Sequence, residues 1–244
     1  MTRSREDAPP RGKEYVERAQ RKWMRTFHGL PEVSLESLIR QPTTPADPIL
    51  DECCLPPYLG PSGHNDFAPL MQIVCAMKPE WVVELGTAFG NTVANICNQS
   101  PLTRVVTVNA LPENQSGSCV TCELSRDEIG RVYRSHGYAH RVTQIYENTL
   151  DLDLGSSFSE PVVDLAIIDA CHDREYVLND FDKVRDHVAP SGVVLFHDTH
   201  PEMDKSLEGS YLACMELRRR GYDVRHLART WWGIWRRDWS RPIA

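Results

Sequence analysis

The sequence predicts an α/β protein: a mostly parallel, doubly wound sheet with helices on both faces, preceded by a helical and irregular N-terminal extension. Three observations predict it. Short apolar runs rich in β-branched residues alternate with amphipathic stretches of helical length, the pattern of strand–helix–strand units. These runs end in polar residues, Glu84, Asn109, Asn148, Asp169 and Asp198, which a parallel sheet gathers along one edge, where such sheets bind ligands. The length of 244 residues suits one large core with an appendage rather than two full-sized domains.

Taken in order, Tyr15, Ala19, Trp23 and Phe27 recur every four positions between Gly12 and Phe27, which predicts an amphipathic helix. Its stripe packs either on the catalytic body or on a second subunit, the latter giving a homo-oligomer. Pro42, Pro45, Pro48, Pro56, Pro57 and Pro61 forbid long regular structure and make a wrapping segment. Residues 1–62 are therefore read as an N-terminal unit and 63–244 as the catalytic domain. A helix over Phe67 to Met77 is closed by Pro79 just before the first strand, an apolar run at Val82-Val83 that stops at the acid Glu84. Arg104 to Asn109 form the second strand, Ala110 to Glu123 a loop, and Ser125-Arg126-Asp127-Glu128 a capping box that opens a helix ending near Gly137. The third strand is Arg141 to Tyr146. The fourth, Pro161 to Ile168, ends in Asp169-Ala170-Cys171-His172. A helix from about Asp173 to Val188 carries Tyr176, Val177, Phe181, Val184 and Val188 on one face, and Pro190-Ser191-Gly192 turns into a fifth strand, Val193 to Phe196. That strand runs into His197-Asp198-Thr199-His200. A helix over Ser206 to Arg220 stops at Gly221, and strands Tyr222 to Leu227 and Trp232 to Arg237 close the sheet.

A net charge of −7 argues against a duplex nucleic-acid binder, which needs a basic surface to neutralise phosphates. No apolar run reaches the length of a membrane span, and Met1 to Pro10 lack the apolar stretch of a secretory signal. The expectation is a cytoplasmic protein that handles a small molecule, with no membrane partner. Most of the eight cysteines sit singly in apolar segments and are expected as reduced thiols. Cys53-Cys54 and Cys119 with Cys122 offer four thiolates for zinc as the alternative.

The stretch Val82-Val83-Glu84-Leu85-Gly86-Thr87-Ala88-Phe89-Gly90-Asn91-Thr92 reads as strand, tight turn and helix. Glycines at 86 and 90 permit unusual backbone angles and close approach of a ligand. The spacing Glu-x-Gly-x-x-x-Gly departs from the Gly-x-Gly-x-x-Gly of dinucleotide sites, so a nicotinamide or flavin dinucleotide is disfavoured.

With these residues placed, the chain from about Gly63 onward resembles the class I S-adenosylmethionine-dependent methyltransferases, which have a Rossmann-like sheet. More narrowly, it is similar to the metal-dependent O-methyltransferases of the catechol and macrolide-sugar type. The resemblance implies that Glu84, Gly86, Thr87 and Gly90 hold the methionine part of the cofactor, that Asn109 stands where an acid usually meets the ribose, and that Asn148 and Thr149 lie beside the adenine. It further implies a divalent cation, Mg²⁺ first, on Asp169, Asp198 and Thr199. His172 stands where the catechol enzymes carry a lysine base, and Thr199 where they carry asparagine; sugar and natural-product enzymes look closer.

These residues suit methyl transfer to a hydroxyl of a small natural product or sugar. A cation on Asp169 and Asp198 would acidify the acceptor hydroxyl, and His172, with an ordinary pKa of about 6.5, would take its proton. His197 and His200 complicate the metal, because two histidines with a carboxylate suit Fe²⁺ or Zn²⁺. If the fifth strand continued, alternation would point His197 and Asp198 to opposite sides, so the two are not both taken as ligands. The alternatives are a metal-dependent hydroxylase or hydrolase using Asp169, His172, His197 and Asp198, and a non-catalytic S-adenosylmethionine-binding module.

Overall fold

The structure, a computed structural model, describes residues 29–41, 43–50, 66–115, 124–199 and 208–243. The expected helix over Gly12 to Phe27, the prolines at 42, 56, 57 and 61, the cysteines at 53, 54, 119 and 122, and His200 lie outside them.

Among the described residues eight strands form one sheet: β1 (Glu32–Val33), β2 (Trp81–Leu85), β3 (Arg104–Val108), β4 (Val142–Ile145), β5 (Val163–Ile168), β6 (Val188–Phe196), β7 (Val224–Leu227) and β8 (Gly233–Arg236). Their order is β1-β7-β8-β6-β5-β2-β3-β4. Of these described strands β8 alone runs against its neighbours, pairing antiparallel with both β6 and β7. The helices are α1 (Leu35–Leu38), α2 (Phe67–Met77), α3 (Asn91–Gln99), α4 (Arg131–Ser135), α5 (Arg174–Val184) and α6 (Glu208–Arg219).

The strands are apolar throughout because both faces of the sheet are covered, as parallel crossovers require. Alternate residues feed opposite layers. Val83, Ala166, Ile168, Val194 and Phe196 point to the layer that holds Val177, Phe181 and Val184 of α5 and Ala213 and Leu217 of α6. Val82, Leu165, Ile167, Val193 and Leu195 meet Leu70, Ile73 and Val74 of α2 and Val93 and Ile96 of α3. Phe181 anchors the first layer, fully buried and edge-on to Trp235 at 5.1 Å and 88°. Burying such a ring contributes up to about 3 kcal/mol.

Two sequence expectations are corrected, and one element is unexpected. The helix before the last parallel strand ends at Val184 rather than Val188. Val188 already pairs with Val163, and the register then slips so that Leu165 meets Val193. The intervening Pro-Ser-Gly is thus a bulge within β6. Gly192 permits it, since a Cβ there would lie 2.7 Å from the Val163 carbonyl oxygen. The capping box forms its bond, Ser125 N–H to Glu128 at 2.9 Å, but within a turn. The helix itself begins only at Arg131, after Gly130 with φ +73°. Finally, the segment before α2 contributes an unexpected edge strand, β1, parallel to β7, while Leu38 and Ile39 enter the core. Among the described residues no helix is long and apolar enough to cross a membrane.

Candidate active site

Register brings the site together. Leu85 pairs with Val108 on one side and Ile168 on the other, and Ile168 pairs with Phe196, so four strands end level. The next residues, Gly86, Asn109, Asp169 and His197, therefore form a row along the carboxyl edge. Backbone bonds continue the ladder into it, from Gly86 N–H to Val108 (2.9 Å), Asp169 N–H to Leu85 (2.8 Å) and His197 N–H to Ile168 (3.0 Å). The row crosses the step between β2 and β5, where strand order reverses and α/β sheets bind ligands.

On one half of this edge a cavity is lined by Gly86, Ala88, Asn109, Asn148, Thr149 and Asp169, joined by Gln115, Glu147, Cys171 and Tyr176. The turn that forms its wall is held in left-handed backbone at Gly86 (φ +108°), Ala88 (φ +44°) and Gly90 (φ +82°). Asn109 fixes that turn by accepting the Ala88 N–H at 2.9 Å. Asn148 holds its own loop, accepting from Leu150 N–H at 3.0 Å and donating to the Asn114 carbonyl at 3.1 Å. Gly86 is required for a reason beyond ligand approach: a Cβ there would lie 2.0 Å from the carbonyl oxygen of Asp169. Gly90 packs in the same way against Gly130, whose Cα would be 2.8 Å from its Cβ.

Glu84, Thr87 and Gly90 do not line the cavity. Glu84 is buried beneath it and accepts the Thr107 hydroxyl at 2.6 Å. Thr107 meets the Thr87 hydroxyl at 2.7 Å, Gln144 donates to Thr87 at 2.9 Å, and Tyr133 donates to Gln144 at 3.2 Å. The protons all run toward Glu84, a polar chain that ties β2, β3, β4 and α4 to the turn. Burial pushes the Glu84 carboxyl up to about 8, against the opposing effect of the Thr107 bond.

On the other half of the edge, Asp169, His172, His197 and Asp198 turn toward one point, their donor atoms all within 4.8 Å of one another. His172 Nε2 lies 3.1 Å from Asp198 and 3.5 Å from Asp169. His197 Nδ1 lies 3.2 Å from Asp169 and 3.3 Å from Asp198. The expected divergence of His197 and Asp198 does not occur. The strand stops at Phe196 and Asp198 takes φ +54°, so alternation no longer applies and both side chains face the same point. Thr199 turns away and donates its hydroxyl to the Trp231 carbonyl at 3.0 Å. Burial alone would push the His197 imidazole down; the facing Asp169 and Asp198 charges override it and raise its pKa well above the ordinary value. In return Asp169 and Asp198, despite burial, are held below the carboxylate range, chiefly by His197.

The donor set fits a cation. Donors about 2.1 Å from one ion stand about 3.0 Å apart along an octahedral edge and about 3.4 Å along a tetrahedral one; the separations of 3.1, 3.2 and 3.3 Å fall between these values, and the 3.5 Å from His172 to Asp169 lies just beyond them. Sequence reasoning missed Glu147, Gln115 and Tyr176 on the cavity wall and Asp66 behind His197. Glu147 had a signal, since it immediately precedes Asn148 after a strand; Asp66 had none.

Residues 83–199 match a family model described as a methyltransferase domain. The stretch contains the turn, the cavity wall and all four residues of the cluster. Solved structures of similar fold include the calicheamicin methyltransferase CalS11, 18% identical over 70% of this chain and 76% of that one, with a TM-score of 0.51. Cofactor-bound Rv0187 from MTB is 19% identical over 69% and 78%, with a TM-score of 0.51. A protein from Corynebacterium glutamicum is 13% identical over 70% and 80%, with a TM-score of 0.52. At these identities the likeness is one of fold. No curated protein sequence matches the chain significantly. The domain match spans the turn, the cavity and the strand-end cluster, so over residues 83–199 this chain is similar to proteins with a methyltransferase domain.

Proposed function

We propose that the chain is a divalent-cation-assisted O-methyltransferase acting on a hydroxyl of a small natural product or sugar. One observation carries the reading: Asp169 both lines the cavity and belongs to the four-residue cluster, so the methyl donor and the proton-handling groups share a boundary. A similar structure named as a TDP-rhamnose 3'-O-methyltransferase, 18% identical, points to sugar hydroxyls as acceptors worth testing first. The two imidazoles would also suit a hydroxylase, but the methyltransferase-domain match favours methyl transfer.

S-adenosylmethionine supplies an electrophilic methyl group on a sulfonium, and a cation on Asp169 and Asp198 supplies positive charge that lowers the acceptor's pKa. The cavity residues hold the donor, with Asn109 and the Gly86 turn fixing its wall. His172 Nε2 accepts the hydroxyl proton as the acceptor oxygen bonds to the methyl carbon and the carbon–sulfur bond breaks. Asp198 at 3.1 Å offsets the charge that develops on the imidazole. His197, Trp231 and Trp232 form an aromatic wall, with His197 and Trp232 centroids 4.4 Å apart, that limits water near the transferring methyl group.

The test is a mass-spectrometric screen of hydroxylated acceptors, sugar nucleotides included, with S-adenosylmethionine, with and without a chelator. The expected result is a methylated product that disappears with the chelator. Product formed by metal-free protein in excess chelator would overturn cation assistance, and cofactor binding with no acceptor methylated across the panel would favour a binding module.

A further inference from the structure

We infer that His197 is itself a ligand through Nδ1, oriented by Asp66, and that the centre therefore selects a first-row transition ion over Mg²⁺. The inference rests on the cation reading above and specifies its donor set and metal class.

Asp66 stands at the N-cap of α2, yet its side chain makes no capping bond. Its carboxylate turns inward, buried, where one oxygen accepts the Trp231 N–H at 2.7 Å and the other faces His197 Nε2 at 3.4 Å. Its carbonyl accepts the buried Trp232 indole N–H at 2.9 Å, and the same indole packs on the His197 ring. Two independent anchors thus fix the imidazole, one polar and one aromatic. With Nε2–H donated to Asp66, loss of the other ring proton to a binding cation would leave the lone pair of His197 on Nδ1, which faces Asp169 at 3.2 Å and Asp198 at 3.3 Å. In that form three donor atoms converge on one point, where a cation can replace the imidazole proton. A carboxylate behind an imidazole is how proteins orient metal-binding histidines and raise their basicity.

The chemistry of the donors sets the metal class. Two carboxylates alone suit Mg²⁺, which prefers oxygen and retains water. Adding an imidazole nitrogen favours ions later in the transition series, for which nitrogen donors gain more than they do with Mg²⁺. His172 Nε2 faces the same two carboxylates, 3.1 Å from Asp198 and 3.5 Å from Asp169, and is assigned as the proton acceptor of the proposed reaction rather than as a ligand.

Calorimetric titration of the full-length apoprotein with Co²⁺ and with Mg²⁺, and pulsed electron paramagnetic resonance of the Mn²⁺-loaded protein, test the assignment without an activity assay. Co²⁺ should bind at least about tenfold more tightly than Mg²⁺. Mn²⁺ should show coupling to a directly bound ¹⁴N that vanishes in His197→Gln and persists in His172→Gln. His197→Gln should weaken Co²⁺ by roughly 10- to 100-fold, and Asp66→Asn by about tenfold, because the Asn amide donates to Nε2 and moves the proton to Nδ1. Equal Co²⁺ and Mg²⁺ affinity, or bound Mn²⁺ whose ¹⁴N coupling is absent or survives in His197→Gln, would overturn the inference and leave an oxygen-only cation site intact. Should none of the three ions bind the wild-type protein, the cation reading fails together with it. The wild-type affinity ratio and spectrum decide the matter even if His197→Gln does not fold.

Discussion

Gly86 touches Asp169: a Cβ at position 86 would fall 2.0 Å from the Asp169 carbonyl oxygen and 2.9 Å from the Ala170 nitrogen. The turn that walls the cavity and the strand end that supplies a carboxylate are thus in backbone contact. Gly86→Ala must break that contact and also hold a side chain at φ +108°. We expect a loss of about 2 kcal/mol or more, seen as a melting temperature lower by roughly 4–8 °C, and weaker S-adenosylmethionine binding by calorimetry. Unchanged values on both measurements would mean that the contact relaxes freely.

Glu84 gives a pH signature. Its carboxyl is raised to about 8 in the folded protein by burial, against about 4.3 in an unfolded chain. A raised acid contributes stability that is fully present below the unfolded pKa and is lost as pH rises through the folded one. Between about pH 4.5 and 8 the wild type should therefore lose stability relative to Glu84→Gln, which keeps an acceptor for the Thr107 hydroxyl and never ionises. The gap should reach the order of a few kcal/mol by pH 9, measured by urea unfolding at several pH values. A constant difference from pH 5 to 9 would refute the buried, protonated carboxyl.

The cation reading predicts a separation between binding and turnover. Asp198 lies outside the cavity lining, so Asp198→Asn should retain S-adenosylmethionine affinity within about threefold while turnover falls by 10² or more, on the order of a lost charge in metal-assisted catalysis. Chelation of the wild type should reproduce that loss, and a divalent cation should reverse it. Turnover of Asp198→Asn within a few-fold of wild type would remove Asp198 from the cation site.

The strand-end residues were legible in the sequence because parallel strands that end level turn a list of terminal polar residues into a row in space; Leu85, Val108, Ile168 and Phe196 show that alignment directly. What the sequence hid follows from two limits of pattern reading. Periodicity holds only while the element continues, so it failed at Asp198, where a left-handed residue follows the strand, and at Val188, which pairs with Val163 although its spacing continues the helix pattern. Tertiary partners leave no local trace. Asp66 precedes a helix as any capping residue would, and only the fold diverts its carboxylate to His197, 131 positions away.

His172 carries the last prediction. It is a buried residue, not a surface histidine, and its Nε2 lies 3.1 Å from Asp198 and 3.5 Å from Asp169, among the groups that would surround the acceptor hydroxyl. As the general base it must be neutral to accept a proton, so the rate should rise with pH as the imidazole loses its own. His172→Ala should lower turnover by roughly 10² to 10⁴. Because His172 does not line the cavity, S-adenosylmethionine affinity should barely change. If the cation alone acidifies the acceptor, the loss should instead be small and the rising limb should persist with the acceptor's own pKa. Retention of more than about half the wild-type turnover with an unchanged pH profile would therefore reduce His172 to a partner of Asp198 and leave the cation as the sole activator.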